Sequence, residues 1–166
     1  MTITTLDQLS HKEVLAMEKG ARKNGTGISP SMLIGRWCPR KLWTAGQDQA
    51  NALQSFVLNL LGAELLIENS SAPMAEPLQL SNAVRIGPLI LRFRGPGWFS
   101  GRRPLLQFRF DELELRLGPW LLFKLQLPKP EPRRTPFFAV IGVNPRGWLL
   151  ARGRGGGLAL WQCQNA

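Results

Sequence analysis

Leu106-Gln107-Phe108-Arg109-Phe110-Asp111-Glu112-Leu113-Glu114-Leu115-Arg116-Leu117 alternates apolar and polar residues with a period of two, the mark of a strand with one buried face. The apolar phase is even up to Phe110 and odd from Leu113. A one-residue slip in a continuous strand would turn its apolar face outward, so a turn or bulge is required at Asp111-Glu112. The same period extends on both sides. Gly87 to Phe93 places Leu89, Leu91 and Phe93 on one face; Leu121 to Leu127, Phe137 to Val143, Trp148 to Arg152 and Leu158 to Cys163 complete about eight strands. Short connections such as Asn144-Pro145-Arg146-Gly147 and Arg154-Gly155-Gly156-Gly157 fit an antiparallel meander. A meander with one apolar face removes its open edges by closing into a barrel. The expected class is therefore all-β.

The first half reads differently. Thr5 with Gln8 forms a capping box that Ser10 with Glu13 repeats, and they predict a helix from about Leu6 to Lys19, ended by the loop Gly20 to Gly27. A first strand follows at Met32 to Thr44. Leu53, Phe56, Val57, Leu60 and Leu61 recur at helical spacing and predict a short amphipathic helix after that strand. With 166 residues the chain suits one domain, with a helix and loop over 1–29 and the barrel over 30–166.

Charge is as uneven as structure. Residues 81–166 hold fourteen Lys and Arg, twelve of them Arg, against four acids, whereas residues 1–80 hold seven of each; the whole net charge of +10 thus sits on the strand-rich part. An apolar interior inside a cationic coat suits a partner that is anionic outside and oily within. No apolar run is long enough to span a bilayer and the first residues lack a signal pattern, so the expected location is the cytoplasm or the surface of a membrane. Cys38 and Cys163 are expected to be free thiols.

Gly35-Arg36-Trp37 on an opening strand resembles the Gly-x-Trp element of calycins, the lipocalin-like barrels. The tail Leu150-Ala151-Arg152-Gly153-Arg154-Gly155-Gly156-Gly157-Leu158 is similar to the closing hairpin of the plastid lipid-associated proteins, or fibrillins, of plastids and cyanobacteria. Asn82 through Phe110 resembles that family's central strands. Departures exist: Asn144-Pro145-Arg146 stands where the family has an acidic pair, and residues 53–61 replace an aromatic-rich segment. The resemblance implies a lipocalin-like barrel that binds or carries an isoprenoid, quinone, carotenoid or other lipid at a photosynthetic (thylakoid) membrane, without catalytic residues or a cofactor.

Three constellations are candidate sites. Ligand-facing candidates are the aromatics Trp37, Trp43, Phe93, Phe108 and Phe110 on apolar strand faces, with Phe56 on a portal helix. Barrel closure is assigned to Gly35, Trp37 and Arg152, the guanidinium stacking on the indole as a plug once first and last strands meet. The Gly-rich stretch 95–104 is read as a loop whose Trp98 and Phe99 dip into a membrane, with Arg92, Arg94, Arg102 and Arg103 on its stems to meet anionic lipid.

Arg152-Gly153-Arg154-Gly155-Gly156 looks like a fragment of an RNA-binding RGG tract, but one unit flanked by strand patterns is more simply a hairpin turn, so a basic RNA-binding module ranks below the lipid reading. His11 is the one histidine, tyrosine is absent, and no nucleophile elbow, phosphate loop or metal-ligand spacing occurs. By resemblance alone, a calycin could also be a bilin-binding or phycobilin lyase-like barrel, its arginines holding propionates.

Overall fold

The computed structural model describes residues 10–43, 63–71, 77–101, 104–145 and 147–164. The helix proposed over 53–61, with Phe56, lies outside the described residues, as do Arg102 and Arg103. Among the described residues, one α-helix, α1 (His11–Asn24), precedes ten strands: β1 (Gly35–Trp43), β2 (Glu64–Asn69), β3 (Leu78–Ile86), β4 (Leu89–Ser100), β5 (Leu105–Phe108), β6 (Glu112–Leu117), β7 (Trp120–Gln126), β8 (Phe137–Asn144), β9 (Trp148–Gly153) and β10 (Leu158–Cys163). All pairings are antiparallel, and the strand order β3-β2-β1-β10-β9-β8-β5-β4 closes on itself through β3–β4. The protein is an eight-stranded, lipocalin-like β-barrel with an N-terminal helix. First and last staves meet along β1–β10, with Trp37 opposite Cys163.

Two strands are not staves. The β6–β7 hairpin is inserted between the fifth and sixth staves and continues the sheet outward from β4. β4 pairs with β6 over Leu89–Arg94 and with β5 over Gly97–Ser100, so two residues of β4 face three, Arg109 to Asp111, on the other side. This is the bulge required by the phase slip, and it keeps Leu106 and Phe108 on the same face of the sheet as Leu113, Leu115 and Leu117. The inserted chain leaves the barrel at Phe108, whose N–H donates to Pro136 O at 3.2 Å just before β8 begins.

Alternation decides which side chains fill the barrel. Trp37, Leu65, Ile67, Leu78, Leu80, Leu106, Phe108, Phe138, Leu149, Ala151 and Trp161 form the interior core. The opposite face of β8 to β10 is also buried, because α1 lies on it: Ile141, Trp148, Leu150, Leu158 and Leu160 pack with Val14, Met17 and Ala21.

The helix starts later than the Leu6 expected and runs through Gly20 to Asn24. Ser10 is its cap: its hydroxyl accepts from Glu13 N–H at 3.3 Å while the Glu13 carboxylate accepts from Ser10 N–H at 2.8 Å. The Ser10 box thus caps α1, the Thr5 box lies outside the described residues, and Gly25, at φ +73°, ends the helix. Ser10→Ala is expected to cost about 1 kcal/mol in chemical denaturation.

Candidate functional site

The wing is a four-stranded sheet made of the far ends of β3 and β4 with β6 and β7, and its cross-strand rows sort by polarity. Ile86, Leu89, Leu117 and Trp120 form one row; Val84, Leu91, Leu115 and Phe123 the next; Phe93, Leu113 and Leu125 a third. The alternate rows carry charge, with Arg92, Glu114 and Lys124 in one and Arg94 and Glu112 in another. Lys124 lies 3.0 Å from Glu112, whose carboxyl is held below the usual range chiefly by the Gln126 and Lys124 hydrogen bonds. Arg116 lies 3.6 Å from Glu114.

The apolar face is the outward continuation of the barrel interior, since Leu78 and Leu80 of the core alternate along β3 in phase with Val84 and Ile86. An aromatic ladder joins the two regions: Trp161–Phe138 at 5.7 Å between ring centres, Phe138–Phe108 at 4.8 Å, Phe108–Phe110 at 5.3 Å and Phe110–Phe93 at 5.4 Å. Its inner members are buried, whereas Phe110 and Phe93 are half-buried and open onto the wing. Farther out, Ile86 and Trp120 are each 67% exposed and Phe123 51%.

Of the six ligand-facing candidates, Phe93, Phe108 and Phe110 are thus brought together. Trp37 is fully buried in the core, and its indole N–H donates to Leu33 O at 2.8 Å in the turn Pro30–Leu33. Trp43 is not on the interior: it packs beside the core beneath α1 and stacks with His11 at 6.5 Å. Past the β1 irregularity between Pro39 and Lys41 its side chain is on the outer side of the barrel.

The Trp37–Arg152 plug is corrected by the same alternation. Arg152 shares the outer face of β9 with Leu150 and Trp148, so the barrel wall separates it from Trp37. Its guanidinium takes Glu18 of α1 in a two-pronged pair, Nε to Oε1 at 2.7 Å and Nη2 to Oε2 at 2.6 Å, and also donates to Gly156 O. These bonds, with help from Arg22, hold the Glu18 carboxyl below the usual carboxylate range. Gly35 opens β1 at φ +153°, paired with Ile67 of β2, and a Cβ there would stand 3.7 Å from both Cys163 Sγ and the Trp37 ring.

The membrane-dipping loop is corrected too. Gly95 to Ser100 is strand, with Gly95, Pro96 and Gly97 buried. Trp98 donates its indole N–H to Gln107 at 2.9 Å beneath the Arg109 guanidinium, 5.8 Å from the ring centre, and Phe99 packs on the core. Arg92 and Arg94 belong instead to the charged face of the wing. The RGG-like segment is the β9–β10 turn, where the Arg154 guanidinium donates to the carbonyls of Thr135 and Arg133.

A concavity of about 320 Å³ lies between α1 and β8–β9, bounded by Glu18, Arg22, Phe137 and Arg152, and the Glu18–Arg152 pair occupies its wall. Cys38 and Cys163 are free, and burial pushes the Cys38 thiol up. Among the described residues no three His, Cys, Asp or Glu converge as metal ligands, and no helix is long and apolar enough to cross a membrane. Sequence reasoning did not single out the wing's apolar face; its signal was the unalternated run Trp120-Leu121-Leu122-Phe123. No protein-family model, no curated protein and no solved structure matches this chain.

Proposed function

We propose that this protein is a non-catalytic binder or carrier of an apolar small molecule, of the isoprenoid, quinone, carotenoid or lipid class, working at an anionic membrane surface. One observation carries the reading: an aromatic ladder rises from the barrel core and emerges, at Phe110 and Phe93, on an apolar face open to solvent. Ligand sites are commonly apolar, aromatic-lined and partly preformed. The fibrillin-like residues at both ends of the barrel and the net charge of +10 support the same reading.

The interior itself is filled by Trp37, Trp161, Phe108 and Phe138, so the ligand belongs on the apolar face where barrel meets wing. Eight-stranded barrels of this size are commonly filled by their own side chains. An elongated or ring-bearing apolar ligand would lie against Phe93 and Phe110, between the rows of Leu91 and Leu113.

Titration with decylubiquinone, followed by tryptophan fluorescence, tests it. Saturable quenching is expected in the native protein, with affinity at least tenfold weaker in Phe93→Ser/Phe110→Ser, a loss of about 1.4 kcal/mol. Absence of saturation, or equal affinity in both proteins, rejects this binding face.

A further inference from the structure

The two hairpins that end the wing have nearly the same sequence. Arg85-Ile86-Gly87-Pro88-Leu89 turns β3 into β4, and Arg116-Leu117-Gly118-Pro119-Trp120 turns β6 into β7. Both glycines adopt the left-handed conformation, at φ +59° and +56°, and nothing lies within 4 Å of where a Cβ would stand. The tips are side by side, Gly118 N–H donating to Pro88 O at 3.3 Å, and Arg116 Nη2 braces its own tip through Pro119 O at 2.8 Å. The result is a double tip with Ile86, Leu89 and Trp120 at its front and an arginine one residue behind each apolar leader.

We propose that this double tip, with the apolar wing face behind it, docks on an anionic lipid bilayer. The inference rests on the membrane half of the proposed function and is independent of the ligand half. Seven of the nine large hydrophobic side chains that are exposed among the described residues belong to the wing. Such a concentration exceeds the scattered exposure of an ordinary surface. β7 is moreover the outermost strand, and Lys124 is its one charged residue among Trp120–Gln126, so charge guards this edge only lightly.

Charge selects the occupant. A second copy would bring another chain of net charge +10 against this one, and like charges of that size repel. A bilayer bearing anionic lipid reverses the sign. Trp120 suits headgroup depth, and on the opposite face of the sheet Arg85, Arg92, Arg94, Arg116 and Lys124 outnumber Glu112 and Glu114, within roughly one Debye length of the lipid charge.

Co-sedimentation with phosphatidylcholine vesicles, with and without phosphatidylglycerol, tests the docking. The native protein should sediment with the anionic vesicles, and Ile86→Ser/Trp120→Ser, altered at exposed positions and matched to the native protein by circular dichroism and melting, should bind at least tenfold less. Brominated lipid should quench native fluorescence more than that of Trp120→Phe, which still binds. Equal sedimentation of the native and double-serine proteins overturns the tip while sparing membrane binding through another surface. Failure of the native protein to sediment with either vesicle overturns both. A native dimer that the double substitution dissolves, without sedimentation, assigns the face to a second copy and overturns the proposal; in every case the quinone titration judges the ligand half separately.

Discussion

Gly95→Ala should destabilise the barrel by about 3 kcal/mol, at or above the upper end of ordinary overpacking, read as a lower midpoint in urea with an unchanged slope. A Cβ at this position would lie 2.0 Å from Arg109 O and 2.9 Å from the Phe110 Cα, and both are backbone atoms that cannot rotate away. The cause is topological. Here β4 changes partner from β6 to β5, and the bulge Arg109–Asp111 is pressed against it, with Arg109 N–H on Pro96 O at 3.1 Å and Asp111 N–H on Arg94 O at 2.9 Å. Gly97 is a milder case, because its nearest neighbour, the Leu80 Cδ1 at 2.3 Å, is the end of a side chain. A Gly95→Ala protein as stable as the native one would mean that the bulge does not sit against β4.

Arg152→Ala should cost about 3 kcal/mol, because it leaves the Glu18 carboxylate half-stranded between helix and barrel. Glu18 keeps Arg22 at 2.7 Å, but that guanidinium is half in solvent, whereas Arg152 supplies the two-pronged contact from the wall. Arg152→Lys should fall between, since an ammonium keeps the charge and loses the fork. The pH dependence follows from the Glu18 carboxyl, held low first by Arg152. A depressed folded-state pKa stabilises above the ordinary carboxyl range and stops doing so as pH falls through the folded value. The stability gap between native and Arg152→Ala proteins should therefore be full at neutral pH and close in acid, once the pH has fallen below the ordinary carboxyl range. A gap that is constant with pH would assign the loss to packing instead of the ion pair.

The second half of the chain was legible because period-two alternation reports directly on a sheet with one buried face. Leu158 to Cys163 is the strand expected, and the slip at Asp111-Glu112 is the bulge it demanded. What alternation cannot say is whether an apolar face turns toward a closed lumen or runs past its rim. β6 alternates just as a stave does, yet with β7 it forms the wing. Gly95-Pro96-Gly97 misled for a related reason: glycine and proline ordinarily punctuate loops, whereas here glycine admits a crossing backbone.

Side-chain pairing was harder still. Parity along β9 places Arg152 on the outer face, but only the position of α1 shows what waits there, and α1 lies on the barrel with Val14, Met17, Glu18 and Ala21. A buried stripe containing a carboxylate and an alanine does not read as a stripe. The capping box at Ser10 was readable, yet Thr5 offered an equal start, and local chemistry alone does not choose between them.

The chain that departs at Phe108 and rejoins at Pro136 returns to within one hydrogen bond of where it left. Such an excursion asks almost nothing of the loop that would otherwise join the two staves, so its length and its oily surface are free to diverge while the eight-membered ring around them stays constant. Selection can thus retune what this molecule touches without renegotiating how it folds.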